Sequence, residues 1–110
     1  INAHGTSTPV GDIAEINAIQ EVFNSQNPFL SSTKSLTGHS LGATGAQEVI
    51  YSMIMMNKGF VSPSINVEAV VDEIGDINLV TEENNHKINS FMSNSFGFGG
   101  TNACLVFNKD

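Results

Sequence analysis

A chain of 110 residues has room for one small domain around one core, and its 40% hydrophobic content is ordinary for a soluble protein. A net charge of −7, no arginine and four scattered lysines (Lys34, Lys58, Lys87, Lys109) exclude nucleic acid as a partner, because phosphate contacts need basic side chains. No apolar run is long enough to cross a bilayer, and only 14% charged residues points to a surface partly covered by a dimer partner or by further protein.

Ile1 reads as a point inside a strand that ends near His4. After Pro9, a helix is expected from Asp12 to about Asn24. Asp12 and Glu15 have the spacing of a capping box, and Ile16, Ile19, Val22 and Phe23 recur on one face. Asn27-Pro28 ends it. Phe29 to Lys34 has the length of a short strand that delivers Lys34 to a loop. A second helix is expected from about Gly42 to Asn57. It opens with small residues (Gly42, Ala43, Gly45, Ala46) and turns apolar almost all round through Val49, Ile50, Met53, Ile54, Met55 and Met56. Such a helix is expected to be buried on all sides, which implies a larger parent or an oligomer.

Lys58-Gly59 closes that helix, and Phe60 to Ile65 reads as extended. Val67 to Gly75 is irregular, Asn78 to Thr81 is a short strand, and Glu82 to Lys87 is a solvated loop. Ile88 to Ser95 and Ala103 to Asn108 read as an antiparallel pair around a glycine-rich loop. The whole is α/β, without repeats or linkers. Cys104 is the single cysteine, so no internal disulfide forms and a reducing cytoplasm is the simplest setting. Within Ala103 to Phe107 it is expected to act as a small buried hydrophobe.

Four segments carry chemistry. His4, in N-A-H-G-T-S-T-P, sits at a strand-to-loop junction that presents its ring; the plainer reading is a histidine satisfied by its own loop. Lys34 and His39, in S-S-T-K-S-L-T-G-H-S-L-G, are placed to project into one pocket. A lysine there disfavours imidazolium, although a surface lysine with a helix-capping histidine fits equally well. Glu48 lies in an apolar stretch and needs a buried partner, for which Lys34 is the candidate. The loop Phe96 to Asn102 leads into a strand rather than a helix, which sets a phosphate cradle aside. Glycines around Phe98 suit either an oxyanion-binding N–H or a tight hairpin with buried phenylalanines. His4, His39, His86 and Cys104 lack zinc-ligand spacing.

The order of these segments resembles the β-ketoacyl-acyl-carrier-protein synthases across essentially the whole chain. T-G-H-S-L-G-A-T-G-A-Q-E and M-S-N-S-F-G-F-G-G-T-N-A are most similar to the bacterial type I branch. The resemblance implies a thiolase-like fold of two related α/β halves. Residues 1–110 would form most of the second half, a mixed sheet with a buried helix, normally packed against an N-terminal half that bears the nucleophilic cysteine. It implies His4, Lys34 and His39 as catalytic residues, with Glu48 ordering Lys34 and the Phe98 N–H as an oxyanion donor. Thr6 and Thr8 would contact the pantetheine arm, with Phe96 and Phe98 beside the acyl pocket. Asn2, Glu48, Ser93 and Asn94 mark where a structural sodium or potassium ion would sit; no other cofactor is implied.

The implied reaction is decarboxylative condensation of malonyl-carrier protein with an acyl thioester in fatty acid biosynthesis, in a cytoplasmic homodimer served by acyl carrier protein. This chain alone would not condense, since it lacks the cysteine. A non-catalytic subunit of the chain-length-factor kind and a polyketide ketosynthase domain are the alternatives. Intact His4 and His39 weigh against the first, and H-G-T-S-T in place of H-G-T-G-T weighs against the second.

Overall fold

The computed structural model describes all 110 residues. Helix α1 spans Pro9–Phe23 and so begins three residues before the expected Asp12. Proline suits a first helical turn, where its fixed φ is already helical and its missing N–H is not needed. Asp12 is therefore not the cap. Its Oδ1 accepts from the backbone N–H groups of Thr6 (3.2 Å) and Thr8 (3.4 Å) and ties the preceding loop to the helix. Ile16 and Ile19 are buried with Ala3 and Leu30 in a small apolar cluster. Val22 is on the outer side, 75% exposed, and does not belong to the core face expected for it.

The sheet is mixed, and most of its ranks are only one or two residues long. Strand β1 (Ser90–Phe96) pairs antiparallel with β2 (Asn102–Asn108), in register from Ser90 opposite Asn108 to Phe96 opposite Asn102. This is the expected hairpin, with β1 starting two residues later and ending one later, and β2 starting one residue earlier. On the other edge of β1, Asn2 bridges in parallel to Ser93 and also to Ser31, while Leu30 bridges in parallel to Leu79. The expected strand Phe29 to Lys34 is thus reduced to Leu30 and Ser31. Lys34 instead opens a one-turn helix, α2 (Lys34–Thr37), which Gly38 closes at a φ of 74°.

Helix α3 (Thr44–Lys58) follows a single tight turn at Leu41–Ala43 and ends on Gly59 in the left-handed region. It runs along β1 with an unusual stripe inward: Thr44, Glu48, Ser52 and Met55, spaced three or four apart, are its buried residues. The expectation of a helix buried all round is not met within this chain. Ile50 (53%), Ile54 (48%) and Met53 (41%) face outward. Packing explains the inversion. The sheet face under α3 is polar, and Asn2 Nδ2 donates to Thr33 Oγ1, to the Glu48 carbonyl and to Ser52 Oγ at 3.1 to 3.3 Å. A polar stripe on the helix satisfies that face, and the apolar residues are turned away from it. Cys104 is likewise exposed, not buried, because almost all of β2 lacks cover within the chain.

Candidate active site

The sheet, α1 and α2 converge on His4, which leaves the Asn2 rank just where the chain turns. Two devices fix that turn. Glu15 of α1 is 5% exposed and grips it with both carboxylate oxygens: Oε1 accepts from His4 N–H and Oε2 from Gly5 N–H, each at 2.9 Å. Gly5 then passes Ser32 with a φ of +24°, and Ser32 Oγ donates to its carbonyl at 2.9 Å. A Cβ on Gly5 would lie 3.0 Å from Ser32 Cβ, so a side chain is excluded by contact as well as by conformation.

This brings three of the expected rings together. The His4 ring lies 5.7 Å from that of His39, nearly perpendicular to it, and 5.6 Å from that of Phe96. His39 follows Gly38 and turns back so that its Nδ1 accepts from the Leu41 N–H at 3.0 Å. A backbone N–H can only donate, so Nδ1 carries no proton and neutral His39 holds its hydrogen on Nε2. Lys34, the first residue of α2, lies near enough to His4 to act on its charge and pairs with Glu48 of α3 in the ion pair expected from the sequence. Their side chains are 5% and 1% exposed.

Burial sets the electrostatics. The His4 pKa lies below its ordinary value, first because the ring is partly desolvated and second because Lys34 is near; Glu15 works in the opposite direction. The Glu48 carboxyl is pushed up by burial, against the Lys34 ammonium, which draws it back. The site therefore presents one neutral imidazole, a second with a fixed tautomer, and a buried cation held by a carboxylate.

Thr6 and Thr8 stand at the entrance, their hydroxyl oxygens 3.4 Å apart. They line a groove of about 970 Å³ that is also lined by Lys34, His39, Ile65 and Val67. Phe96 belongs to the site. The Phe98 ring is wholly in solvent within this chain, at the tip of the hairpin, where Gly97 N–H donates to the Thr101 carbonyl and Gly99 and Gly100 take positive φ. The hairpin is tight, as the plainer reading expects, but Phe98 is not buried in it.

Glu15 is the site residue that sequence reasoning assigned only to a cap. The available signal was its place four residues before Ile19, on the buried stripe of α1.

The four residues expected around a monovalent cation surround the Asn2 bridge. Glu48 Oε2, Ser93 Oγ and Asn94 Oδ1 are buried oxygens without a hydrogen-bond partner. As strand neighbours, Ser93 and Asn94 face opposite sides of the sheet, and Asn94 Nδ2 donates to Glu15 Oε1 at 3.0 Å on the α1 side. Orphaned oxygens without a soft donor fit a hard alkali cation in chemistry.

Residues 1–68 match the family described as "Beta-ketoacyl synthase, C-terminal domain". The chain is 55% identical over 109 residues to 3-oxoacyl-[acyl-carrier-protein] synthase 1 of Escherichia coli K12, covering 99% of itself and 27% of that protein. Among solved structures, a Beta-ketoacyl synthase from Burkholderia phymatum superposes with a TM-score of 0.92 at 37% identity, over 99% of this chain and 27% of that one. A ketosynthase solved in complex with its type II polyketide acyl-carrier protein gives 0.92 at 31% identity, over 97% of this chain and 27% of that one. The chain thus spans about a quarter of the length of the curated relatives it matches.

Proposed function

The chain belongs to the β-ketoacyl synthase family through its C-terminal domain, and on that premise we propose that it provides the decarboxylating residues of a 3-oxoacyl-[acyl-carrier-protein] synthase. The observation that carries this reading is the pair of imidazoles 5.7 Å apart, with Lys34 near His4 and anchored by Glu48. The fold is thiolase-like, as in the ketosynthases it superposes on.

The reaction follows from what these groups do. A cysteine thiolate elsewhere in the protein takes an acyl group from a carrier-protein thioester, releasing the carrier thiol. Malonyl-carrier protein then enters along the groove, its pantetheine arm beside Thr6 and Thr8. Cleavage of the bond to the carboxylate releases carbon dioxide and leaves an enolate, whose charge gathers on the thioester oxygen. N–H donors from His4 and from His39 Nε2 stabilise that oxygen; each well-placed donor of this kind contributes about 3–4 kcal/mol. The enolate carbon attacks the acyl-cysteine carbonyl, and collapse of the adduct expels thiolate and yields the 3-oxoacyl carrier thioester. Lys34 supplies positive charge near His4 and favours its neutral form.

A sodium or potassium ion on the α3 side of the sheet, held by Asn2, Glu48 and Ser93, would supply charge compensation to the buried oxygens there; the Asn94 side chain lies on the α1 side and would not join it. The physiological partner is an acyl carrier protein bearing acyl or malonyl groups, the kind of protein seen bound to one structural relative. No helix is long and apolar enough to cross a membrane, which agrees with a cytoplasmic setting. The outward stripe of α3 and the bare β2 agree with further cover from the same protein and from a second copy in a homodimer.

The test is to incubate the intact polypeptide that carries this chain with malonyl- and acyl-carrier protein and to follow both by mass. Carbon dioxide release with a 3-oxoacyl carrier product supports the reading. An unchanged malonyl carrier overturns it.

A further inference from the structure

Building on that reading of His39 as an N–H donor, we propose that Thr44 is a positioning residue that locks His39 in its Nε2–H tautomer. Thr44 Oγ1 lies 3.1 Å from His39 Nδ1, the same ring atom that accepts from the Leu41 N–H at 3.0 Å. The roles in this cluster follow by elimination. Leu41 N–H cannot accept, so Nδ1 is bare, and a bare ring nitrogen can only accept from Thr44. The hydroxyl hydrogen of Thr44 therefore points at His39, and two donors share one lone pair.

Two further observations show this contact to be built. Thr44 is 5% exposed and is the first residue of α3, so it fastens the ring to a rigid helix rather than to the loop that bears it. Leu41, by contrast, is 76% exposed and takes a φ of 54°, a conformation unfavourable for a bulky residue. The effect of that conformation is to aim the N–H at Nδ1. Strain in the loop and a hydroxyl from the helix act on the same atom. Together they oppose the other tautomer, which would place a hydrogen on Nδ1 against both donors and leave Nε2 unable to donate to a developing oxyanion.

The test combines Thr44→Val, close to isosteric but without the hydroxyl, with Thr44→Ser, which keeps it. Thr44→Ala serves if the valine variant does not fold. Each is made in the intact polypeptide with ¹⁵N-labelled histidine. The lock predicts that the His39 Nδ1 resonance moves towards that of a free acceptor in Thr44→Val and stays in place in Thr44→Ser. Malonyl-carrier decarboxylation should fall roughly three- to tenfold in kcat in Thr44→Val, with KM little changed, and return in Thr44→Ser. Identical His39 ring spectra in Thr44→Val and the parent overturn the lock. A shifted resonance with unchanged turnover upholds the lock and overturns His39 as an oxyanion donor.

Discussion

Lys34 Nζ donates to Glu48 Oε1 in the interior, joining α2 to α3. Glu48 is the largest fully buried side chain of the protein, and its second oxygen has no hydrogen-bond partner. A pair so placed is a positioning device before it is a stabilising one. Removing one partner strands the other, whereas replacing both removes the cost of burying them.

Glu48→Leu should therefore destabilise the protein by about 3–5 kcal/mol, and the double replacement Lys34→Met with Glu48→Leu by much less. Urea denaturation of the two variants checks this. Equal losses would show that the pair is not coupled as the structure has it.

His4 has a pKa below 6.5 through burial and the nearness of Lys34. The sign follows by linkage: a depressed pKa contributes stability that is fully present above 6.5 and is lost as pH falls through the folded value. Activity that needs neutral His4 should follow the same course, with its acid limb below 6.5. Lys34→Met removes a charge that lowers this pKa, so it should move the limb upward. NMR titration of the His4 ring in parent and variant measures both shifts. A limb at or above 6.5 in the parent would contradict the assignment.

Legibility from the sequence divided along a physical line. His4, Lys34 and His39 were ambiguous singly and stood out only through the family resemblance that the order of their segments carries, whereas Glu48 was readable from its apolar surroundings and paired as a lone buried carboxylate must. The β1–β2 hairpin was readable from alternation around a glycine-rich loop. Asp12 and Glu15 misled because an acid near a helix start has two uses: both bind backbone N–H groups of the preceding loop, and Pro9 begins the helix instead. The ranks at Asn2 and Leu30–Ser31 are too short to leave a period. Helix α3 inverted the usual rule, since an apolar run does not reveal that its few polar residues face inward onto a polar sheet. Cys104 was misplaced for a related reason: apolar neighbours indicate a strand without saying whether anything covers it.

The orphaned oxygens of Glu48 and Ser93 predict a response to alkali cations. At equal ionic strength, sodium or potassium chloride should raise Tm by a few degrees over tetramethylammonium chloride, whose cation is too large for a buried site. Ser93→Ala should weaken that difference, and Asn94→Leu, on the other side of the sheet, should leave it in place. Equal Tm values in all three salts would remove the cation from the account.

The central claim is that His4 and His39 act together on one developing oxyanion. Its most direct measurement is the kcat for decarboxylation of malonyl-carrier protein by the intact polypeptide, with His4→Ala, His39→Ala and both. The account predicts a loss of about 10²–10³ for each single variant, with parent-like thermal stability. The double variant should lose less than the product of the two, because residues serving one charge are not additive. Either single variant retaining half or more of the parent rate would contradict it.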